Sequence, residues 1–292
     1  MNRKTIQRTL QKEHEKFVDS ITDETVKVLI KKNSIITGGA IASMLLGEPV
    51  NDYDYYFTDM DTVKTVAQYY IDKFTAAHPN SIKPELCCDD DTGRIKIKIK
   101  SDGIVSEEDI EKVVTKADET NAEHMEGVDN NKGDYRPIFI SANAITLSDK
   151  TQLVVRFYGN PEEIHKNYDF VHCCNYWTSS DNQLVLNPTA LESLLCKHLW
   201  YQGSLYPLCS IIRTRKFLKN GWYINAGQYL KMCFQLSELN LSDINVLEDQ
   251  LTGVDAAYFH QVIDYCKKRQ EEDKEFKVTT PYLVSIIDKI FG

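Results

Sequence analysis

An α+β fold, with a mixed sheet leading into an all-helical domain, is predicted by three observations. Short apolar or alternating runs crowd the first two thirds of the chain, strand and helix patterns take turns there, and beyond "DNQLVLNP" every apolar run recurs at helical spacing. The boundary is expected near residue 187, giving domains 1–187 and 188–292. A length of 292 residues, 42% hydrophobic and 26% charged, suffices for a sizeable core and excludes a disordered chain.

The elements follow in order. Ile6, Leu10, Phe17, Ile21, Val26, Leu29 and Ile30 recur at helical spacing, so one or two amphipathic helices come first. "SIIT" reads as a short buried strand, "AIASMLLG" as a two-turn helix stopped by Gly47 and Pro49, and "DYDYYF" as an aromatic strand. "TDMDTVKTVAQYYIDKFTAAH" opens with capping residues and continues as a surface helix. "RIKIKIK" alternates strictly, which predicts a strand with one buried and one basic face. Residues 101–135 are acidic and poor in large apolar groups, an expected insertion. "PIFISANAITL", "QLVVRFYG" and "DFVHCCNYW" read as three further strands, with "SDK" as a turn and "NPEEIHKNY" as a short connecting helix.

The net charge of −9 and a pI near 5.3 argue against whole-surface binding to nucleic acid, so a basic groove must be local. No run approaches the ~20 apolar residues of a membrane span, and the N-terminal stretch lacks a secretory core, so a cytoplasmic protein without membrane association is expected. Eight cysteines show no C-x-x-C spacing and read as reduced thiols.

The chemistry concentrates in "IITGGAIASMLLGEPVNDYDYYF". Strand alternation projects Asp52 and Asp54 from one face and Tyr53 and Tyr55 from the other. Two adjacent carboxylates repel unless a divalent cation lies between them, and oxygen-only ligation suits Mg²⁺ or Mn²⁺. Gly38 and Gly39 let backbone approach a phosphate, and the helix behind them aims its free N–H groups and positive dipole end at it. Metal and triphosphate would meet there, for transfer of a nucleoside monophosphate to an acceptor hydroxyl.

This Gly-Gly followed by Asp-x-Asp resembles the nucleotidyltransferase superfamily of DNA polymerase β. "GGAIASMLLGEPVNDYDYYF" looks most like the head domain of tRNA nucleotidyltransferases (CCA-adding enzymes) and bacterial poly(A) polymerases. The resemblance implies a nucleotidyltransferase domain with a mixed sheet, two metal ions and a helical domain behind. It also implies a third carboxylate on a later strand, as ligand or base, for which Asp169 in "NYDFVHCCNYW" is the candidate. "IIRTRKF" looks like the Arg-x-x-Arg-Phe helix of the tRNA enzymes, which makes Arg213 and Lys216 candidate triphosphate or primer contacts; Lys197 stands where relatives often present a lysine. Ala42 and Ser43 occupy the place of an Arg-Asp pair, with Ser43 the candidate nucleotide contact there, and Thr252 replaces an arginine in "LEDQLTG". Both departures set the chain apart from CCA addition itself. The chain as a whole is also similar to nucleotidyltransferase-like proteins of bacteriophages.

The leading expectation is therefore a template-independent transferase acting on an RNA or tRNA 3′ end. "RIKIKIK", "RTRKFLK" and "KKRQ", with Trp200 and Trp222 as stacking platforms, would bind that acceptor. The alternatives are transfer to a protein, a small molecule or a second nucleotide, and a non-catalytic phage assembly protein that keeps the fold.

Overall fold

The computed structural model of the chain describes residues 1–79, 83–88, 93–98, 104–105, 133–251 and 257–291. The expected insertion at 101–135 lies almost wholly outside the described residues, as does Thr252. The described residues form two compact units, the first ending at Cys196 and the second starting at Lys197.

The first unit opens with helices α1 (Arg3–Asp19) and α2 (Glu24–Asn33). Asn2 and Asp23 cap them by accepting the Thr5 and Val26 N–H groups, and their apolar stripes are buried. Strand β1 (Ser34–Thr37) follows, then helix α3 (Gly39–Leu46), strand β2 (Tyr53–Phe57) and helix α4 (Met60–Ala77). Helix α3 stops at Gly47, whose φ of 75° lets the Glu48 N–H return to Ser43 O at 2.9 Å, a left-handed cap that a branched residue would strain.

Strands β3 (Glu85–Cys88) and β4 (Ile95–Lys98) pair as a small separate sheet. In β4 Ile95 and Ile97 are buried while Lys96 and Lys98 are exposed, the alternation expected for this stretch. The remaining strands are β5 (Ile104–Val105), β6 (Pro137–Ile140), β7 (Ala144–Leu147), β8 (Thr151–Tyr158), β9 (Tyr176–Thr178) and β10 (Gln183–Val185). Between β8 and β9 lie helix α5 (Pro161–His165) and a 3₁₀ turn at Val171–Cys173. The main sheet has eight strands in the order β10-β9-β1-β2-β8-β7-β6-β5. It is mixed: β2 and β8 run parallel, whereas β1 is antiparallel to both β2 and β9. The architecture is α+β, as predicted.

The sheet is covered on both faces. Ile36, Tyr55, Phe57, Leu153 and Val155 face the large core shared with α1, α2 and α4. On the other face Ile35 and Tyr56 pack with Ile164 of α5, Val154 and Tyr168. This second, smaller cluster places α5 and the segment behind it against the face that carries Asp54.

Two expected strands take another form. "PIFISANAITL" is a hairpin, because the Ser141 N–H and hydroxyl both turn back to Ala144 O. "DFVHCCNYW" is a strand only from Tyr176; before it Asp169 leads into the 3₁₀ turn. Helix α6 (Pro188–Cys196) belongs to the first compact unit and packs on that turn.

The second unit is helical: α7 (Pro207–Lys219), α8 (Ala226–Ser237), α9 (Ile244–Leu251), α10 (Ala257–Glu272) and α11 (Thr280–Phe291). Its core gathers Ile244, Leu247, Leu251, Ile263, Cys266 and Ile286. Among the described residues no helix is long and apolar enough to cross a membrane. All eight cysteines are free thiols.

Candidate active site

The site is built where β1 ends and β2 begins. Thr37 pairs with Asp54 across the antiparallel ladder, so the chain leaving β1 through Gly38 and Gly39 runs beside the start of β2. Gly38 has φ 89° and ψ −145°, a region that only glycine occupies without strain. It is also a close approach: a Cβ there would stand 2.9 Å from Asp54 Oδ2 and 3.4 Å from Tyr168 Oη. Gly39 differs. It is exposed, and a Cβ built on it meets nothing within 4 Å. Helix α3 starts here with no side chain capping it, so its first N–H groups and positive end face that open flank.

Asp54 and Asp52 are both half-buried, Asp54 in β2 and Asp52 one residue before the strand. Tyr55, between Asp54 and Tyr56, points into the core, which fixes Asp54 on the opposite face with Tyr56. Level with Asp54 on the parallel neighbour β8 stands Gln152, and beyond it Thr146 on β7. Thr37, Asp54, Gln152 and Thr146 thus form a polar row across four strands. The strand beside Asp54 offers an amide at that level and not a third acid.

The end of β1 is clamped by the segment after α5. The Gly38 N–H donates to Cys173 O at 3.1 Å. The Thr37 hydroxyl lies 2.8 Å from both Asn175 O and His165 Nε2. A carbonyl only accepts, so the single hydroxyl proton goes to Asn175 and the histidine donates from Nε2, which assigns its tautomer. Burial holds His165 down at about pKa 4, so it is the neutral ring that makes this bond. Burial, then the neighbouring Tyr56 and the Asp54 charge, push the Tyr168 hydroxyl well above its ordinary range.

Asp169 does not open a strand. It is half-buried, and its Oδ1 accepts the Phe170 N–H at 3.0 Å where the chain enters the 3₁₀ turn. Among the described residues no group of three or more His, Cys, Asp or Glu stands close enough to hold a metal, so the set of Asp52, Asp54 and Asp169 is not gathered as a three-ligand centre. Asp52 and Asp54, two residues apart and both half-buried, carry the oxygen-only ligands that would suit a hard cation. A cavity of about 650 Å³ lies on the opposite side of β2, beside Tyr53 and Glu13, away from the aspartate face.

The remaining candidates spread over both units. Ser43 is half-buried on α3. Lys197, expected on a helix, is the first residue past α6 and adopts φ 48°, its carbonyl accepting the Tyr223 N–H. Arg213 is exposed and Lys216 half-buried on α7, in the second unit. Trp222 is 7% exposed and packs edge-on to Phe217, so it is no stacking platform. Sequence reasoning missed Tyr168, His165 and Gln152, because each acquires its role only through pairing with residues far along the chain.

Solved structures with a similar chain path include the Bacillus stearothermophilus CCA-adding enzyme in complex with CTP, 11% identical with a TM-score of 0.37 over 82% of this chain and 50% of that one. The Thermotoga maritima CCA-adding enzyme complexed with tRNA is 13% identical with a TM-score of 0.37 over 85% and 54%. A further CCA-adding enzyme with CTP is 12% identical, with a TM-score of 0.41 over 100% and 51%. The chain spans about half the length of these proteins. No curated protein sequence matches it. The profile of the family described as "Gad2: Gabija anti-defense 2 family protein" matches residues 8–197. That match takes in the whole main sheet, Gly38, Gly39, Asp52, Asp54, Tyr168 and Asp169, and ends where the second unit begins. The chain belongs to the Gabija anti-defense 2 family.

Proposed function

We propose that this chain is a nucleotidyltransferase that moves a nucleoside monophosphate from a triphosphate to an acceptor hydroxyl without a template, with an RNA 3′ end as acceptor. The observation that carries the reading is the meeting, at one end of β1 and β2, of an uncapped helix N-terminus, the open flank of Gly39 and the carboxylate of Asp54 against Gly38. The helix N–H groups would bind phosphate oxygens. Gly39 keeps the space a phosphate needs, and the Thr37, His165 and Cys173 contacts hold the turn in place while it binds. Asp52 and Asp54 would hold Mg²⁺ or Mn²⁺, which when bound neutralises the triphosphate and the charge developing on pyrophosphate. Asp169, Ser43, Lys197, Arg213 and Lys216 stand as further candidates for nucleotide or acceptor contact. The exposed lysines of β4 and the basic turns of α7 support the RNA part.

The family description favours a second reading of the acceptor. A family that counters a defence called Gabija would act on a component of it, and the acceptor hydroxyl would then be on a protein. Triphosphates labelled at the α-phosphate, offered with Mg²⁺ alone, with total RNA and with host protein, separate the two. Label in RNA is expected, label in protein selects the second acceptor, and label that stays in the triphosphate in every arm overturns transfer.

Gly39→Val tests the phosphate site itself. Since a Cβ there meets nothing within 4 Å, the melting temperature should hold, while triphosphate affinity measured by calorimetry falls roughly 10-fold or more. Unchanged affinity would make the turn purely structural.

A further inference from the structure

Tyr168 stands one residue before Asp169 and had no role in the sequence reading, yet its hydroxyl converges on the point where Asp54 meets Gly38. We infer that Tyr168 is a positioning residue, whose hydroxyl holds the Asp54 carboxylate in one orientation against the Gly38 backbone. The inference rests on the nucleotidyl-transfer reading for its functional consequence, and on geometry alone for the positioning.

Gly38 is buried, and on the side its missing Cβ leaves open, the nearest atoms are Asp54 Oδ2 and Tyr168 Oη. A carboxylate only accepts hydrogen bonds, whereas a phenol donates one and accepts others. Tyr56, two residues beyond Asp54 on the same face of β2, packs with Tyr168 in one cluster. On this inference the Tyr168 hydroxyl donates its one proton to the Asp54 carboxylate, which can only accept. Asp54 is thereby gripped from the side its own strand does not reach.

The grip is rigid. The Tyr168 ring sits 6.0 Å from that of Tyr56 and 5.1 Å from that of His165, and it packs on the cluster of Ile35, Tyr56 and Ile164. Helix α5, three residues upstream, is fixed at its start by a capping box between Asn160 and Glu163 and at its end by the bond from His165 to Thr37. A ligand side chain held by such a shell loses little entropy when its cation arrives, and the geometry of transfer depends on that shell.

Tyr168→Phe keeps the ring and removes only the hydroxyl. In the metal-free full-length chain, the Hα–Hβ couplings of labelled Asp54 should report a single χ1 rotamer in the parent and averaging among rotamers in Tyr168→Phe. In the transfer assay the variant should lose roughly 10-fold in kcat, the worth of one hydrogen bond to a charged group, while KM for the triphosphate stays within about 3-fold. Tyr168→Phe with single-rotamer couplings and parental kcat overturns the inference. Absence of transfer by the parent chain would instead overturn the nucleotidyl-transfer reading, and the couplings would still decide what Tyr168 does to Asp54.

Discussion

Asp54→Ala is expected to reduce nucleotidyl transfer by about 10³-fold or more, and Asp52→Ala to do nearly the same. Removing one carboxylate from the pair halves the protein's contribution to the cation shell, and the charge stabilisation lost is several kcal/mol. The chain itself should tolerate the change. Neither side chain belongs to the core: both are half-buried at the open end of β2, and Tyr55 and Phe57 on the other face carry the packing. Without metal the two carboxylates repel, so the melting temperature should hold or rise on removing one. Turnover of α-labelled triphosphate and a thermal melt in chelator check both halves. Parental turnover in either variant would end the two-carboxylate reading, and a large fall in melting temperature would assign Asp54 to the scaffold.

The part of this site legible in the sequence is the local part. Gly38 announces a turn that needs glycine, Gly47 a helix stop, and the alternation of Tyr53, Asp54 and Tyr55 a strand with one wet face; each depends on residues close in sequence. "IKIK" was legible for the same reason. "DFVHCCNYW" misleads because Phe170, His172 and Cys174 are buried, a period of two without a strand. The backbone there departs from strand geometry since the carbonyls of Cys173 and Asn175 are taken by the Gly38 N–H and the Thr37 hydroxyl at the end of β1. That competition joins positions well over a hundred residues apart, and no local pattern encodes it. Tyr168 and His165 are hidden for the same reason: their spacing in "EEIHKNYDF" matches an ordinary surface helix, and only the fold brings them to Thr37, Gly38 and Asp54.

Stability should fall steeply between pH 6.5 and pH 4, beginning well above the range in which ordinary carboxylates titrate. His14 is 5% exposed, with the ring of Tyr55 at 5.9 Å and that of Trp177 at 5.2 Å, and burial holds it down at about pKa 4. His172 is as deeply buried and also lies at about 4, the nearby Asp169 charge only partly opposing the cost of burial. Both folded-state values are depressed below the ordinary 6.5, so between those limits the unfolded chain binds protons that the folded chain refuses. The sign follows. The full contribution is present above pH 6.5 and is lost as pH falls toward 4, at about 1.4 kcal/mol per pH unit for each ring, or up to roughly 3 kcal/mol each. Two such losses are comparable with the about 5–15 kcal/mol that holds a typical domain together. His165, likewise near 4 but only half-buried, adds a smaller share. Asp59, whose carboxyl is held below its ordinary value where it caps α4, titrates lower and leaves this window to the histidines. Urea midpoints at pH 7.5, 6.5, 5.5 and 4.5 should therefore be flat over the first step and fall steeply over the last two. His14→Leu removes one titrating ring and should make that fall shallower whatever it does to stability at neutral pH. A midpoint unchanged from pH 7.5 to pH 4.5, or a His14→Leu profile parallel to the parent, would show that these rings are hydrated in the folded chain.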